Sequence, residues 1–254
     1  MEKMTYQSIK NSYCHYLLKS QINYTCTNMA DHTELSHDKI TRFLSSNLMR
    51  EKDFYEQVYL DKKLPVGGYL IFDDTVLDKS HSHSIAMVRR QYSGNAGGII
   101  KGIGVVNMIY YVPQQDKFYL LGYRVFEIDL DNKSKIDHVS DMIKDAESYC
   151  IGYVGVLMDT WYAVARLFQE INNLGKFFYC PIKSNRLSKE LDSCNYSAIS
   201  ELKWDNTDLE KGKTVKIKDL NMNVRAYKIT AASAVRFHQQ NGLCIDKRFT
   251  KSEC

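Results

Sequence analysis

Two stretches of this 254-residue chain end a short apolar run in aspartate. The first, Gly67-Gly68-Tyr69-Leu70-Ile71-Phe72-Asp73-Asp74-Thr75, passes through four apolar or aromatic residues into two adjacent carboxylates. The second, Tyr153-Val154-Gly155-Val156-Leu157-Met158-Asp159, repeats the pattern. Runs this short, bounded by turn residues such as Pro65 and Gly67, read as buried strands. In open α/β sheets, ligands gather at the carboxyl ends of central strands, which makes each acid a candidate ligand or catalyst. Side chains alternate along a strand, so Asp73 and Asp74 are expected on opposite faces, one in a site and the other capping a turn. Hard carboxylate oxygens suit a divalent cation. Two such cations roughly 3.5–4 Å apart can activate an attacking oxygen and stabilise a leaving one in phosphodiester chemistry.

The charge distribution is consistent with a polyanionic substrate. Net charge is only +4, but residues 66–78 carry three acids and no base, while 79–124 carry six bases against one acid. Residues 125–175 are acidic, nine against four, and 176–254 are basic, fifteen against nine. Acids that hold cations, flanked by bases that hold phosphates, are what a metal-dependent enzyme acting on nucleic acid requires.

The elements that must position these acids are legible in outline. Tyr6, Ile9, Tyr13, Tyr16 and Leu17, then Ile40, Phe43, Leu44 and Leu48, recur at helical spacing. Thr33 or Ser36 can cap the second of these helices, whose face carries Lys39, Arg42 and Arg50. A third short helix would hold Phe54, Tyr55, Val58 and Tyr59, and the three together fit a helix-turn-helix type of module. After the first acidic strand comes a polar excursion with His81, His83, Arg89 and Arg90. It ends in a glycine-rich turn, Gly94 to Gly98, that lacks the Gly-Lys-Ser/Thr ending of a phosphate loop. Strands are expected over 102–112 and 118–128 with a hairpin turn between them, then a helix over about 134–149. A helix with Trp161, Val164, Leu167, Phe168 and Ile171 on one face follows Asp159, with Trp161 expected in its core contact. Phe177–Ile182 forms a further strand that leads into Lys183-Ser184-Asn185-Arg186, and strands at 214–218 and 223–229 close the pattern.

The middle of the chain resembles a known family. Leu70-Ile71-Phe72-Asp73-Asp74-Thr75, then Arg90-Gln91-Tyr92, Gly94 and the run from Gly98 to Gly104, is similar to the catalytic domain of bacterial insertion-sequence DDE transposases. Met158-Asp159-Thr160-Trp161-Tyr162, a helix, Gly175, an aromatic strand and Lys183-Ser184-Asn185-Arg186 resemble the region around that family's second acid. The resemblance spans roughly residues 30–230. It implies a ribonuclease H-like mixed sheet in the order β-β-β-α-β-α-β, with the first and fourth strands as parallel neighbours. By position it makes Asp74 and Asp159 the catalytic and metal-holding acids, with Asp73 and Thr75 in supporting roles. Mg²⁺ or Mn²⁺ is the implied cofactor, and double-stranded DNA at element ends the implied partner, bound through Arg89, Arg90, Lys183 and Arg186. A homodimer is implied as well.

One feature of the family is missing from the 254 residues. Its third acid is a glutamate in a Tyr-x2-Arg-x3-Glu-x6-Lys pattern. Here Tyr227 has Thr230 in the arginine position, Arg236 is followed by Gln240 where the glutamate should be, and Glu253 has no such context. The expectation is a truncated transposase copy, inactive as given. The expected organisation is a helical, DNA-contacting region at 1–64, the α/β core at 65–190 and a β-rich insertion at 191–254. The alternatives are a non-catalytic DNA-binding relic, or an unrelated ribonuclease H-like nuclease with Glu201 or Asp205 as third acid. Seven scattered cysteines without a C-x-x-C pair argue against structural zinc and disulfides. With no apolar run of membrane-spanning length and no secretory signal pattern, a cytoplasmic bacterial protein without membrane contact is expected.

Overall fold

The computed structural model describes residues 6–20, 24–46, 53–59, 62–81, 85, 87–126, 132–229 and 242–246. Leu48, Arg50, His83, Thr230, Arg236, Gln240 and Glu253, named above, lie outside them. The chain divides into two units, Met1–Asp53 and Phe54–Cys254.

The first unit is built on three helices, α1 (Tyr6–Lys19), α2 (Cys26–Asp31) and α3 (His37–Ser46). Ile9, Tyr16, Met29, Leu35, Ile40 and Phe43 form its core. Thr25 caps α2 by accepting a hydrogen bond from the Asn28 amide. At the start of α3 that role falls to Ser36, whose hydroxyl accepts from the Lys39 amide at 3.4 Å. Arg42 is on the exposed face of α3.

The second unit is mixed α/β. It begins with helix α4 (Asp53–Tyr59) and continues through strands β1 (Gly68–Asp78), β2 (Arg89–Ser93), β3 (Gly98–Val112) and β4 (Lys117–Phe126). Helix α5 (Lys135–Ser148), strand β5 (Tyr153–Met158), helix α6 (Ala165–Asn173) and strand β6 (Phe177–Ile182) follow. The β-branched and aromatic runs of β1, β5 and β6 fit the pleated, buried centre of a sheet. β1 pairs antiparallel with β3, Asp74 opposite Val106, and parallel with β5, Phe72 opposite Met158. β5 in turn pairs parallel with β6, and β4 lies against β3 on the side away from β1, which gives the order β4-β3-β1-β5-β6.

Beyond β6 the same sheet continues antiparallel. Its further strands are β7 (Leu187–Glu190), β8 (Ser197–Ala198), β9 (Lys213–Ile217), β10 (Asn223–Ile229) and β11 (Gly242–Asp246). They are reached from β6 in the order β11-β10-β9-β7-β8. A short helix, α7 (Asn206–Lys211), precedes β9, capped by Asp205 in a reciprocal pair with Asp208.

Three local features differ from the pattern expected of the sequence. β1 does not stop at the aspartates but runs on to Asp78, because the long β3 keeps pairing with it as far as Gly102. The polar excursion contains a strand, β2, which forms a hairpin with the opening of β3 across the glycine-rich turn. After Asp159 a 3-10 turn, Thr160–Tyr162, comes first, and α6 starts only at Ala165.

The core of this second unit is one cluster. Leu70 and Phe72 of β1 are fully enclosed, together with Val139, Met142 and Ile143 of α5 and Leu167, Phe168 and Ile171 of α6. Truncating a side chain such as Phe72 to alanine in such a core costs about 3–5 kcal/mol. The start of β1 is fixed by Tyr110, whose hydroxyl donates to the Pro65 carbonyl at 2.6 Å and accepts from the Gly68 amide at 3.0 Å. No helix among the described residues is long and apolar enough to cross a membrane.

Candidate active site

The acids border one cavity because β5 is shorter than β1. Its pairing with β1 ends at Phe72 and Met158, so β1 continues past the last paired residue with that edge uncovered. A cavity of about 440 Å³ opens there, bordered by Asp73, Asp74, Thr75, Gln91, Lys135, Asp159, Trp161 and Tyr162. Asp73 and Asp74 do leave the strand on opposite faces, yet both border this cavity, which corrects the expectation that only one would. An uncovered edge lets one cavity reach both faces, whereas a paired edge would separate them.

Asp74 is the most firmly held of the three acids. One carboxylate oxygen lies 2.5 Å from the Lys135 ammonium, and the other accepts a 3.1 Å hydrogen bond from the Tyr162 hydroxyl. Lys135 is placed by the first turn of α5. Ser134 caps that helix by accepting from the Asp137 amide, and Asp137 accepts in return from the Ser134 amide. Asp137 also pairs with Arg166 at 2.5 Å, and the Ser134 hydroxyl and Arg166 hold its carboxyl well below the usual carboxylate range. The Lys135 ammonium is 5.5 Å from the centre of the Phe126 ring, and the Arg89 guanidinium is 5.4 Å from the same ring.

Tyr162 is 1% exposed. Burial, and then the neighbouring charge of Asp74, push its phenol well above the ordinary tyrosine range, so it stays a neutral donor. Asp73 accepts from the Asp74 amide at 2.9 Å. Its side chain reaches solvent, but the protein around the carboxyl raises its pKa, and the charges of Asp74 and Asp159 add to that rise. Asp159 caps the 3-10 turn through the Thr160 amide, while its backbone carbonyl accepts from the Cys180 thiol at 3.3 Å.

The remaining expected site residues separate into two groups. Arg89 and Arg90 are on β2 and project from opposite faces, and neither borders the acidic cavity. Lys183 and Arg186 border a second cavity of about 450 Å³, which also contains Asn185, Lys218, Asp219 and Trp161. Glu201 and Asp205 line a third, away from Asp74 and Asp159, and so supply no third acid to them. Trp161 is 64% exposed rather than packed in a helix core, because the 3-10 turn sends Tyr162 inward and its neighbour outward. Lys135 was not singled out by sequence reasoning, and Tyr162 was noted only as a neighbour of the second acid that could stack on DNA, not as a donor to Asp74. An acid, a base and a phenol that meet only through folding leave no local signature.

The donors present are hard oxygens, the ligand type Mg²⁺ and Mn²⁺ take, and Mg²⁺ typically binds through one or two carboxylates with water and phosphate completing its shell. Among the described residues, no group of three or more His, Cys, Asp or Glu side chains could hold a metal ion. Asp74 and Asp159, which border one cavity, would be the two carboxylates for such an ion, and the Lys135 ammonium already contacts one of them. The described cysteines, Cys14, Cys26, Cys150, Cys180 and Cys194, are free thiols. A comparison with protein-family models finds no match, and a comparison with curated proteins finds no similar sequence.

Proposed function

We propose that this chain is a transposase-type module of ribonuclease H-like architecture that engages DNA for metal-dependent phosphodiester chemistry. The observation that carries the proposal is the delivery of Asp74 and Asp159, from the parallel strands β1 and β5, to one cavity. The order β4-β3-β1-β5-β6, with α5 between β4 and β5, supports the architecture. In this reading Asp74 and Asp159 hold Mg²⁺ or Mn²⁺, while Asp73 and Thr75 support them. A cation held there would supply polarisation of the phosphodiester and activation of an attacking water or hydroxyl. Tyr162 orients the Asp74 carboxylate by donating to one oxygen, and Lys135 offsets its charge. Lys183 and Arg186, with Arg89 and Arg90, contact backbone phosphates, which position a duplex without reading its sequence. Pairing of two DNA ends by two copies of the chain belongs to the same proposal.

A second reading is favoured by one observation: among the described residues no group of three or more acids, histidines or cysteines is placed to hold a metal ion, although Asp73 borders the same cavity as Asp74 and Asp159. In it, the 254 residues bind DNA and cleave it poorly or not at all. A loss of transition-state charge stabilisation is worth about tenfold in rate for each 1.36 kcal/mol. The experiment that tests the DNA-binding reading is affinity for duplex DNA as salt is raised. Affinity should fall steeply, because each phosphate contact releases condensed counterions, and Lys183→Glu with Arg186→Glu should flatten the slope. Absence of binding at low salt would end it. Nicking of plasmid DNA in Mn²⁺, assayed alongside, separates the cutting reading from the binding one.

A further inference from the structure

Among the described residues, Lys135 is the one base that borders the acidic cavity, where it faces three aspartates. Its ammonium is already committed, 2.5 Å from a carboxylate oxygen of Asp74. The other bases assigned to DNA are elsewhere: Lys183 and Arg186 border a different cavity, and Arg89 and Arg90 border neither. A DNA phosphate brought to the aspartates therefore meets an excess of like charge, with its one neighbouring base engaged.

The position of Lys135 lets its charge change partners while its backbone stays in place. Ser134, Lys135 and Ile136 open α5, and all three border the cavity. The reciprocal cap between Ser134 and Asp137 holds that turn. From it Lys135 extends a flexible four-carbon stem with three rotatable donors. The positive end of the helix dipole lies at the same turn and favours an anion there. Asp74 cannot give one oxygen both to a divalent ion and to the ammonium, so occupation of the aspartates frees the Lys135 charge inside the cavity. Ions of the Mg²⁺ type leave part of their shell to substrate phosphate, which brings that phosphate within the same space.

We propose that Lys135 is a cation-released phosphate ligand: it neutralises Asp74 until an ion occupies the aspartates, and then turns to the DNA phosphate in the same cavity. This deepens the DNA reading above and rests on it, and it gives the site an order of binding, cation before phosphate. Without the ion, three carboxylates and a paired ammonium turn the phosphate away.

The test is acetylation of lysines by an N-hydroxysuccinimide ester, read site by site by mass spectrometry on the full chain, so cleavage does not enter. Mn²⁺ occupancy is followed by electron paramagnetic resonance. Lys144, further along α5 with its side chain 66% exposed, is the internal reference. Relative to Lys144, Lys135 should label weakly in EDTA and several-fold more in saturating Mn²⁺. A short blunt duplex added to the Mn²⁺ form should protect it again. In Mn²⁺, Lys135→Met should reduce the slope of log affinity for that duplex against log salt by about one, and Lys135→Arg should restore it. Labelling is read on the parent protein, so it decides the matter even if Lys135→Met folds poorly. Mn²⁺ binding that leaves Lys135 labelling unchanged, or a bound duplex that does not protect it, would overturn the proposal while leaving the cation site standing. Failure of the parent to bind Mn²⁺ would overturn both.

Discussion

The Lys135 ammonium lies 2.5 Å from a carboxylate oxygen of Asp74, across 61 residues of sequence. The two side chains are 27% and 18% exposed, so the pair is largely withdrawn from water. A cation bound to Asp74, as proposed, would therefore compete with the ammonium of Lys135 for one oxygen pair. Lys135→Met leaves the carboxylate with Tyr162 alone and should lower the unfolding free energy by about 1–3 kcal/mol in urea titrations. The same change should tighten Mn²⁺ binding. Opposite signs in the two measurements mark competition; general damage to the fold would weaken both.

The phenol of Tyr162 gives a dependence on alkaline pH. Its folded-state pKa is raised above the ordinary 10.0, first by burial and then by Asp74. Above about pH 10 the unfolded chain loses this proton while the folded chain keeps it. The unfolded state then binds fewer protons, so stability falls as pH rises. Urea midpoints taken from about pH 9 to about pH 11 should decline, and Tyr162→Phe should reduce the steepness of that decline.

The cap of α5 predicts the opposite limb. Asp137 is depressed by the Ser134 hydroxyl and Arg166, so its contribution is present above the ordinary carboxylate value of 3.8 and is lost as pH falls through its lower folded value. Ser134→Ala should cost about 1 kcal/mol near neutral pH. Asp137→Asn should flatten the fall in stability on acidification, measured as the change in urea midpoint.

Gly68 tests the entry to β1. A Cβ there would come within 2.4 Å of the Tyr111 carbonyl oxygen and 2.6 Å of the Tyr110 ring. Backbone and a fully buried ring cannot both give way, so Gly68→Ala should destabilise by about 1–3 kcal/mol. A thermal melt unchanged from the parent would contradict the close packing described.

How much of this was legible in the sequence depended on whether the signal was local. The apolar runs at Leu70–Phe72 and Val154–Met158 are short and continuous, and they announced buried strands with acids beyond them. The helix over about 134–149 was equally visible, since Ile136, Val139, Met142, Ile143 and Ala146 recur at helical spacing. The continuation of β1 past Asp74 was hidden, because Asp73 and Asp74 are poor strand formers that stay extended only through pairing with β3. Trp161 was misplaced for a related reason. The hydrophobic spacing around it fits a helix, but the 3-10 turn rotates it out to solvent. The Lys135–Asp74 contact and the shared border at Trp161 are products of the fold, and neither leaves a pattern along the chain.

The proposed function rests on a divalent cation bound jointly by Asp74 and Asp159. Its most direct test is Mn²⁺ titration followed by electron paramagnetic resonance, on the parent protein and on single aspartate-to-asparagine variants whose folding is checked by circular dichroism. Asp74→Asn and Asp159→Asn should each weaken binding about tenfold or more, since either removes one of the two carboxylates proposed to hold the ion. Asp205→Asn, in a different cavity, should leave it unchanged. Mn²⁺ affinity that is indifferent to both Asp74 and Asp159, or that falls equally with Asp205→Asn, would contradict the claim.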